Sequence, residues 1–285
     1  MSEKSVLFLH RFGPGLASYR YRAKVPSVEV AKHNGFKVGL NEAGEYDIMV
    51  VSKPHLDDFP IVEEVKKAGA KIVVDFCDDH FEDNGKEMYY RMAELADHIT
   101  TGSDVMRGRL QRYLNRDATV LPDPYEQPEC PPHADGDKFL WFGHRSNINE
   151  ILNWRPHLVG RQIMVATGPK KVEDFPVVWG PEHLRVELAK ANIVLLPTQT
   201  GSEYKTPNRL LNAIRSGCFP VCMRHPAYLE FRHLVWVGDF ITGLKWTDCF
   251  KADLNELVAE AQDYIRDRYS PEAIGAKWAS FLESV

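Results

Sequence analysis

Long apolar runs, a cysteine pattern and a charge excess are all missing from this sequence. Its 285 residues hold no stretch of about 18 apolar residues, so no membrane span is expected. The five cysteines (Cys77, Cys130, Cys218, Cys222, Cys249) are odd in number and irregularly spaced, which argues against a disulfide framework. Cys218 and Cys222 have no second ligand pair nearby, so no zinc site is expected. Scattered thiols fit a reducing compartment, and the expected location is cytoplasmic. The first residues run from Met1 straight into the apolar Val6–Leu9, too short for a signal peptide. A formal net charge of −5 gives no global pull toward nucleic acid or anionic membrane.

What is present is an alternation. Hydrophobic residues make up 44% and charged residues 26%, enough to build a sizeable core without staples. Val6–His10, Phe36–Leu40, Asp47–Ser52, Lys71–Phe76, His98–Thr101 and Ala118–Leu121 read as short strands. Between them, Pro26–His33, Phe59–Ala68, Glu87–Asp97 and a Ser103-capped stretch to Tyr113 read as helices. The grammar repeats later. Lys138–Phe142, Gln162–Ala166, Val177–Trp179, Asn192–Pro197 and Phe219–Met223 are strand-like, with helices over Glu182–Ala191, Pro207–Ser216, Ala252–Arg268 and Pro271–Leu282. Such alternation implies parallel sheets covered on both faces. Five prolines within Pro122–Asp137 mark a linker. The expected fold class is α/β. Its parts are a Rossmann-like domain over residues 1–123, a linker over 124–137, a second Rossmann-like domain over 138–268, and a C-terminal helix over 269–285. Two doubly wound halves imply a cleft, with ligands outside the carboxyl ends of the strands.

The most informative stretch is Thr198–Val221. Thr206 suits an N-cap and Pro207 the first helical position. The unpaired N–H groups of such a helix start attract anions, and Lys205 and Arg209 add a point charge and a planar fork. Together these suit a diphosphate, and the same spacing also suits an ordinary capped surface helix. Gly13 and Gly15 follow the first strand, where glycine permits close backbone approach to a phosphate or sugar. Asp78, Asp79 and His80 follow the strongest strand, where a carboxylate could bind an acceptor hydroxyl or a His–Asp pair could move a proton. Arg107, Arg109, Arg112 and Arg116 form a potential phosphate strip along one helix.

The stretch resembles the donor-binding helix of GT-B glycosyltransferases of the family-4-like group (glycosyltransferase group 1). NIVLLP, a polar loop, Asn212-Ala213, Gly217 and Pro220-Val221 fall in the family's order, and Lys205, Asn208 and Arg209 match a Lys-x-x-Asn-Arg variant of it. One departure stands out. Asn212 occupies the place of the glutamate that usually holds the donor ribose, and the other family glutamate falls at Tyr204, beside Glu203. Phe142-Gly143-His144-Arg145-Ser146 resembles the phosphate loop of the donor domain, with His144 and Arg145 as its basic members. Gly168 and Trp179 resemble strand ends that flank the nucleotide base. Ser18-Tyr19-Arg20-Tyr21-Arg22 resembles the arginine-bearing start of the first helix, and Arg20, Arg22 and Asp78 would then serve the acceptor.

The resemblance implies a GT-B architecture: two Rossmann-like doubly wound domains facing across a cleft, with the C-terminal helix crossing back to the first. It implies sugar transfer from a nucleoside-diphosphate sugar (UDP-, GDP- or ADP-linked) to a hydroxyl acceptor such as a glycan or lipid-linked saccharide. Transfer would retain configuration and need no metal or cofactor. The implied catalytic residues are Asp79, His80, Arg145 and Lys205. The donor set is Gly13, Gly15, His144, Gly168, Trp179, Glu203, Thr206, Asn208, Arg209 and Asn212. Two alternatives remain, a nucleotide-sugar-binding protein that has lost catalysis and a GT-B nucleotide-sugar epimerase. A transferase acting on DNA bases is a further possibility, disfavoured by the charge balance.

Overall fold

The computed structural model describes residues 3–167, 177–178, 181–198 and 201–285. It divides into two compact units. The first comprises Met1–Pro124, Tyr204–Thr206 and Tyr269–Val285, and the second Tyr125–Glu203 and Pro207–Arg268.

In the first unit, β1 (Lys4–Leu9), β2 (Phe36–Leu40), β3 (Ile48–Ser52), β4 (Lys71–Phe76), β5 (His98–Thr101) and β6 (Thr119–Val120) form one parallel sheet in the order β2-β1-β3-β4-β5-β6. Side chains of successive strand residues alternate between its faces. Leu7, Met49, Val51, Ile72 and Val74 pack on one side with Phe59, Val62, Met92 and Leu110 from the helices. Val6, Phe8, Ile48, Val50 and Val73 pack on the other with Ile274, Trp278 and Leu282 of the C-terminal helix Pro271–Ser284. That helix completes the core of the first unit. Trp278 is buried and meets Phe8 edge-on at 5.6 Å.

The first helical segment differs from the sequence expectation. It begins at Ala17–Tyr19, widens into a π-helical turn over Arg20–Lys24, and continues as Val25–Val30, so Pro26 lies inside it. Proline has no N–H to give to the carbonyl four residues back. The orphaned Arg22 carbonyl instead accepts from the Ser52 hydroxyl at 3.0 Å. The buried end of β3 therefore repairs the defect that Pro26 creates.

In the second unit, β7 (Lys138–Phe142), β8 (Gln162–Ala166), β9 (Val177–Val178), β10 (Ile193–Leu196), β11 (Phe219–Met223) and β12 (Trp236–Gly238) form a parallel sheet in the order β12-β11-β10-β7-β8-β9. The sequence reading lacked β12 and the helix Phe240–Cys249, which Asp239 caps by accepting from the Thr242 N–H at 2.8 Å. The proline-rich stretch holds the division between Pro124 and Tyr125 and is partly packed. Asp123, Tyr125 and Ala134 within it are buried, and the Ala134 N–H donates to Asn255 Oδ1 at 2.6 Å.

Trp278→Ala removes the largest side chain of the C-terminal helix from the first core. It is expected to cost about 3–5 kcal/mol, read as a lower midpoint in urea denaturation.

Candidate functional site

Strand order reverses between β7 and β10 in the second unit, and crevices at such switch points form outside the carboxyl ends of the strands. Gly143 is the first residue beyond β7. A Cβ there would lie 3.0 Å from the Trp141 ring and 3.3 Å from Arg209 Nη1, so a larger residue would press on both side chains. Arg209 comes from the first turn of the helix Asn208–Arg215. Its Nη1 donates to Glu150 Oε2 at 2.7 Å and more weakly to the Phe142 carbonyl at 3.4 Å. The buried Tyr228 hydroxyl bonds the same guanidinium. Burial pushes the Tyr228 hydroxyl up to about 12 even though Arg209 opposes the shift.

Other basic groups stand at the same edge. His144 caps the turn Arg145–Asn147, with Nδ1 accepting from the Ser146 N–H. Arg145 is exposed, and it has no ion-pair partner among the described residues. Arg224, directly after β11, shares both properties and escaped the sequence reading. Its signal was its place, since a basic residue just past a parallel strand lies at the ligand-binding edge. His225 follows it, buried. Its Nδ1 accepts from the Ala227 N–H at 3.2 Å, which leaves Nε2 to donate to the Ser202 carbonyl at 2.9 Å. Burial lowers its pKa, with Arg209 adding to the effect, so the ring is neutral near pH 7.

Several expected donor residues have other duties. Asn212 is buried, and its Oδ1 accepts from the N–H groups of Glu126 at 2.9 Å and Gln127 at 3.2 Å. Its acceptor side thus fastens the chain between the sheets instead of facing a ribose. Thr206 is not the N-cap. Pro207 holds that position without a side-chain bond, because the Thr206 hydroxyl donates to Asp123 Oδ2 at 2.5 Å. Glu203 Oε1 accepts from the Gly201 N–H at 3.1 Å, and Asn208 is the first residue of its helix, half-buried. Gly168 and Trp179 lie outside the described residues.

In the first unit the order reverses between β1 and β3. Gly13 and Gly15 follow β1, exposed, and a Cβ on either would meet nothing within 4 Å. Arg20 donates to the Pro14 carbonyl at 2.8 Å. Arg22, expected at the acceptor, is only 1% exposed. Its Nε donates to Asp75 Oδ2 at 3.0 Å, its Nη2 to Asp75 Oδ1 at 2.5 Å and its Nη1 to Asp123 Oδ1 at 3.2 Å. It is a structural cation, sealed from any substrate.

Lys205 belongs to this unit as well, and it donates to Asp78 Oδ1 at 2.5 Å. Lys53 holds the other Asp78 oxygen at 2.8 Å. Burial alone would raise the Asp78 pKa, but the two ammonium groups outweigh it and hold the carboxyl well below the usual carboxylate range. An acid so firmly ionised is a poor base. Asp79 is paired with Arg109, and His80 Nδ1 meets Asp83 Oδ2 at 2.7 Å rather than Asp79.

The arginine strip is largely consumed too. Arg109 pairs with Asp79 and Glu82, Arg107 with Asp104, and Arg116 donates to the carbonyls of Ala93, Ala96 and Asp97 at a helix end. Among the described residues no group of three His, Cys, Asp or Glu side chains is placed to hold a metal, and no helix is long and apolar enough to cross a membrane.

As a sequence, the chain matches no family model and no curated protein. Its structure has counterparts. HepE from Anabaena, in complex with UDP and glucose, matches with a TM-score of 0.78 at 12% identity, over 99% of this chain and 100% of that one. A glycosyltransferase from Rickettsia africae matches with 0.68 at 9% identity, over 100% of both chains. The fold is GT-B. GT-B architecture also includes the UDP-GlcNAc 2-epimerase from Neisseria meningitidis bound to UDP-GlcNAc, with a TM-score of 0.54 at 11% identity over 99% of each chain.

The depressed pKa of Asp78 sets a pH test. Its stabilising effect is complete above the ordinary carboxylate value of about 4 and is lost as pH falls toward the lower folded value. The stability gap between the parent protein and Asp78→Asn is therefore expected to stay constant from about pH 5 to 8 and to narrow below about pH 4. Urea melts across that range read it directly.

Proposed function

We propose that this chain is a glycosyltransferase that takes a sugar from a nucleoside-diphosphate sugar and passes it to a hydroxyl acceptor. The observation that carries the reading is the charge at the second unit's switch point. His144, Arg145, Arg209 and Arg224 gather at the carboxyl edge of a sheet in Rossmann order, and Glu150 is the carboxylate seen to pair with any of them. The edge of the first sheet differs, since Asp58, Asp75, Asp78, Asp79 and Asp83 all stand there in pairs with basic groups. The diphosphate suits the second edge, and an uncharged hydroxyl acceptor suits the first.

When the glycosidic bond to phosphate breaks, negative charge grows on the leaving diphosphate. Arg145 and Arg209, with the N–H groups that open the Asn208 helix, would stabilise it. Lys205 is held by Asp78 in the first unit, so Arg145 is the primary cation. The departing phosphate itself can take the acceptor proton, which fits retention of configuration and the firm ionisation of Asp78. No metal or cofactor enters this scheme, and cytoplasmic action remains part of the proposal. UDP is the first nucleotide to test, because HepE and the Neisseria epimerase were solved with UDP or a UDP-sugar.

A thermal-shift screen with UDP, GDP, ADP, CMP and TDP, alone and as sugar conjugates, tests the reading. A nucleotide at about 100 times its Kd should add roughly 2.7 kcal/mol of stability. Arg145→Ala is expected to weaken the responding nucleotide by about 1.5–3 kcal/mol, one charge-assisted hydrogen bond. If no nucleotide shifts the melting temperature, the donor reading fails. A shift without sugar transfer to any acceptor would instead favour a binding protein.

A further inference from the structure

The Glu150–Arg209 pair is one-sided. Glu150 keeps 3% of its side chain exposed and Arg209 keeps 18%. The carboxylate is the more deeply buried partner, and Arg209 stands in the first turn of its helix, at the edge proposed to take the nucleotide. The groups around Arg209 are Glu150, the Tyr228 hydroxyl, the Phe142 carbonyl, the neutral His225 and the thiol of Cys222. Glu150 is the ionised acid among them. A buried guanidinium without a counter-ion is strongly destabilising, so Glu150 satisfies Arg209 while the crevice is empty. A bound phosphate must then share that guanidinium with a carboxylate that repels it.

We propose that Glu150 is an internal counter-ion that weakens nucleoside-diphosphate binding at Arg209 and so favours release of the product diphosphate. The proposal rests on the donor reading. It assigns Glu150 a role opposite to that of an orienting residue. An orienting carboxylate strengthens ligand binding by fixing the arginine, whereas a counter-ion weakens it by competing.

Isothermal titration with UDP decides between these roles. Glu150→Gln keeps the shape and an acceptor oxygen but removes the charge. It is expected to bind UDP about tenfold more tightly, the factor of one charge-assisted contact. Unliganded Glu150→Gln should melt below the parent protein, and saturating UDP should shrink that deficit. A weaker Kd would assign Glu150 an orienting role, and a lower melting temperature with unchanged Kd a packing role. Either result overturns the proposal. If Glu150→Gln does not fold, Arg209→Gln is compared with the double variant Glu150→Gln/Arg209→Gln. The double variant is expected to bind UDP more tightly than the single one, because the repelling charge is gone, and equal affinities overturn the counter-ion role. A parent protein that binds UDP while these variants fail the test leaves the donor reading standing. A parent protein that binds none of UDP, GDP or ADP removes both.

Discussion

A single buried guanidinium organises the first unit. Arg22 sits in a π-helical turn, and Asp75 of β4 meets it with both carboxylate oxygens. The carbonyl of Leu121 and the carboxylate of Asp123 take Nη1, and Thr100 of β5 donates to Asp75 at 2.9 Å. The Trp278 ring lies 5.5 Å from the guanidinium carbon. Desolvating such a charge costs several kcal/mol, and only good geometry with fully used donors offsets it. That demand fixes five segments distant in sequence. It brings the C-terminal helix to the first sheet through Trp278. It also brings Tyr204–Thr206 into the first unit, because the Thr206 hydroxyl completes Asp123. Burial raises the Asp123 pKa, and Arg22 and the Thr206 hydroxyl oppose the shift.

The placement of Tyr204–Thr206 also explains why the sequence misled about that loop. Lys205, Thr206 and Arg209 stand within five residues, and their spacing suits a diphosphate as well as an ordinary capped surface helix. The structure divides them. Lys205 and Thr206 are committed to Asp78 and Asp123 in the first unit, and Arg209 to Glu150 in the second. Adjacent cations serve one ligand only if their side chains leave the backbone toward the same space.

The strands were the most legible elements. Lys71–Phe76, His98–Thr101, Lys138–Phe142, Gln162–Ala166 and Phe219–Met223 have the bounds that composition predicts, because β-branched and apolar residues concentrate in strands buried on both faces. What failed were signals with two physical meanings. Pro26 reads as a helix start, yet a side-chain hydroxyl from β3 lets it sit inside a helix. The prolines after Val120 read as a linker, and Asn212, Asn255 and Arg22 tie that stretch down as well. The Phe240 helix hides behind Ile241, Thr242 and Gly243, all weak helix formers. Gly243 is there for a tertiary reason, since a Cβ would strike the Trp236 ring.

The candidate site was legible by place and illegible by partnership. Residues just past parallel strands could be named because topology alone puts them at the ligand edge. Whether each is available depends on a counter-charge that is remote in sequence: residue 75 for Arg22, 150 for Arg209, 109 for Asp79. No local pattern encodes those pairings. Their outcome also separates the two sheet edges. Acids at the first are neutralised by basic partners and leave little field for an anion. The second keeps Arg145 and Arg224 exposed just past the strands flanking β10, with Arg209 between them in chain and in sheet order. A diphosphate needs unspent cations converging on one crevice. By that criterion the proposed diphosphate site falls at the second edge, while the buried Arg22, for all its charge, serves the fold.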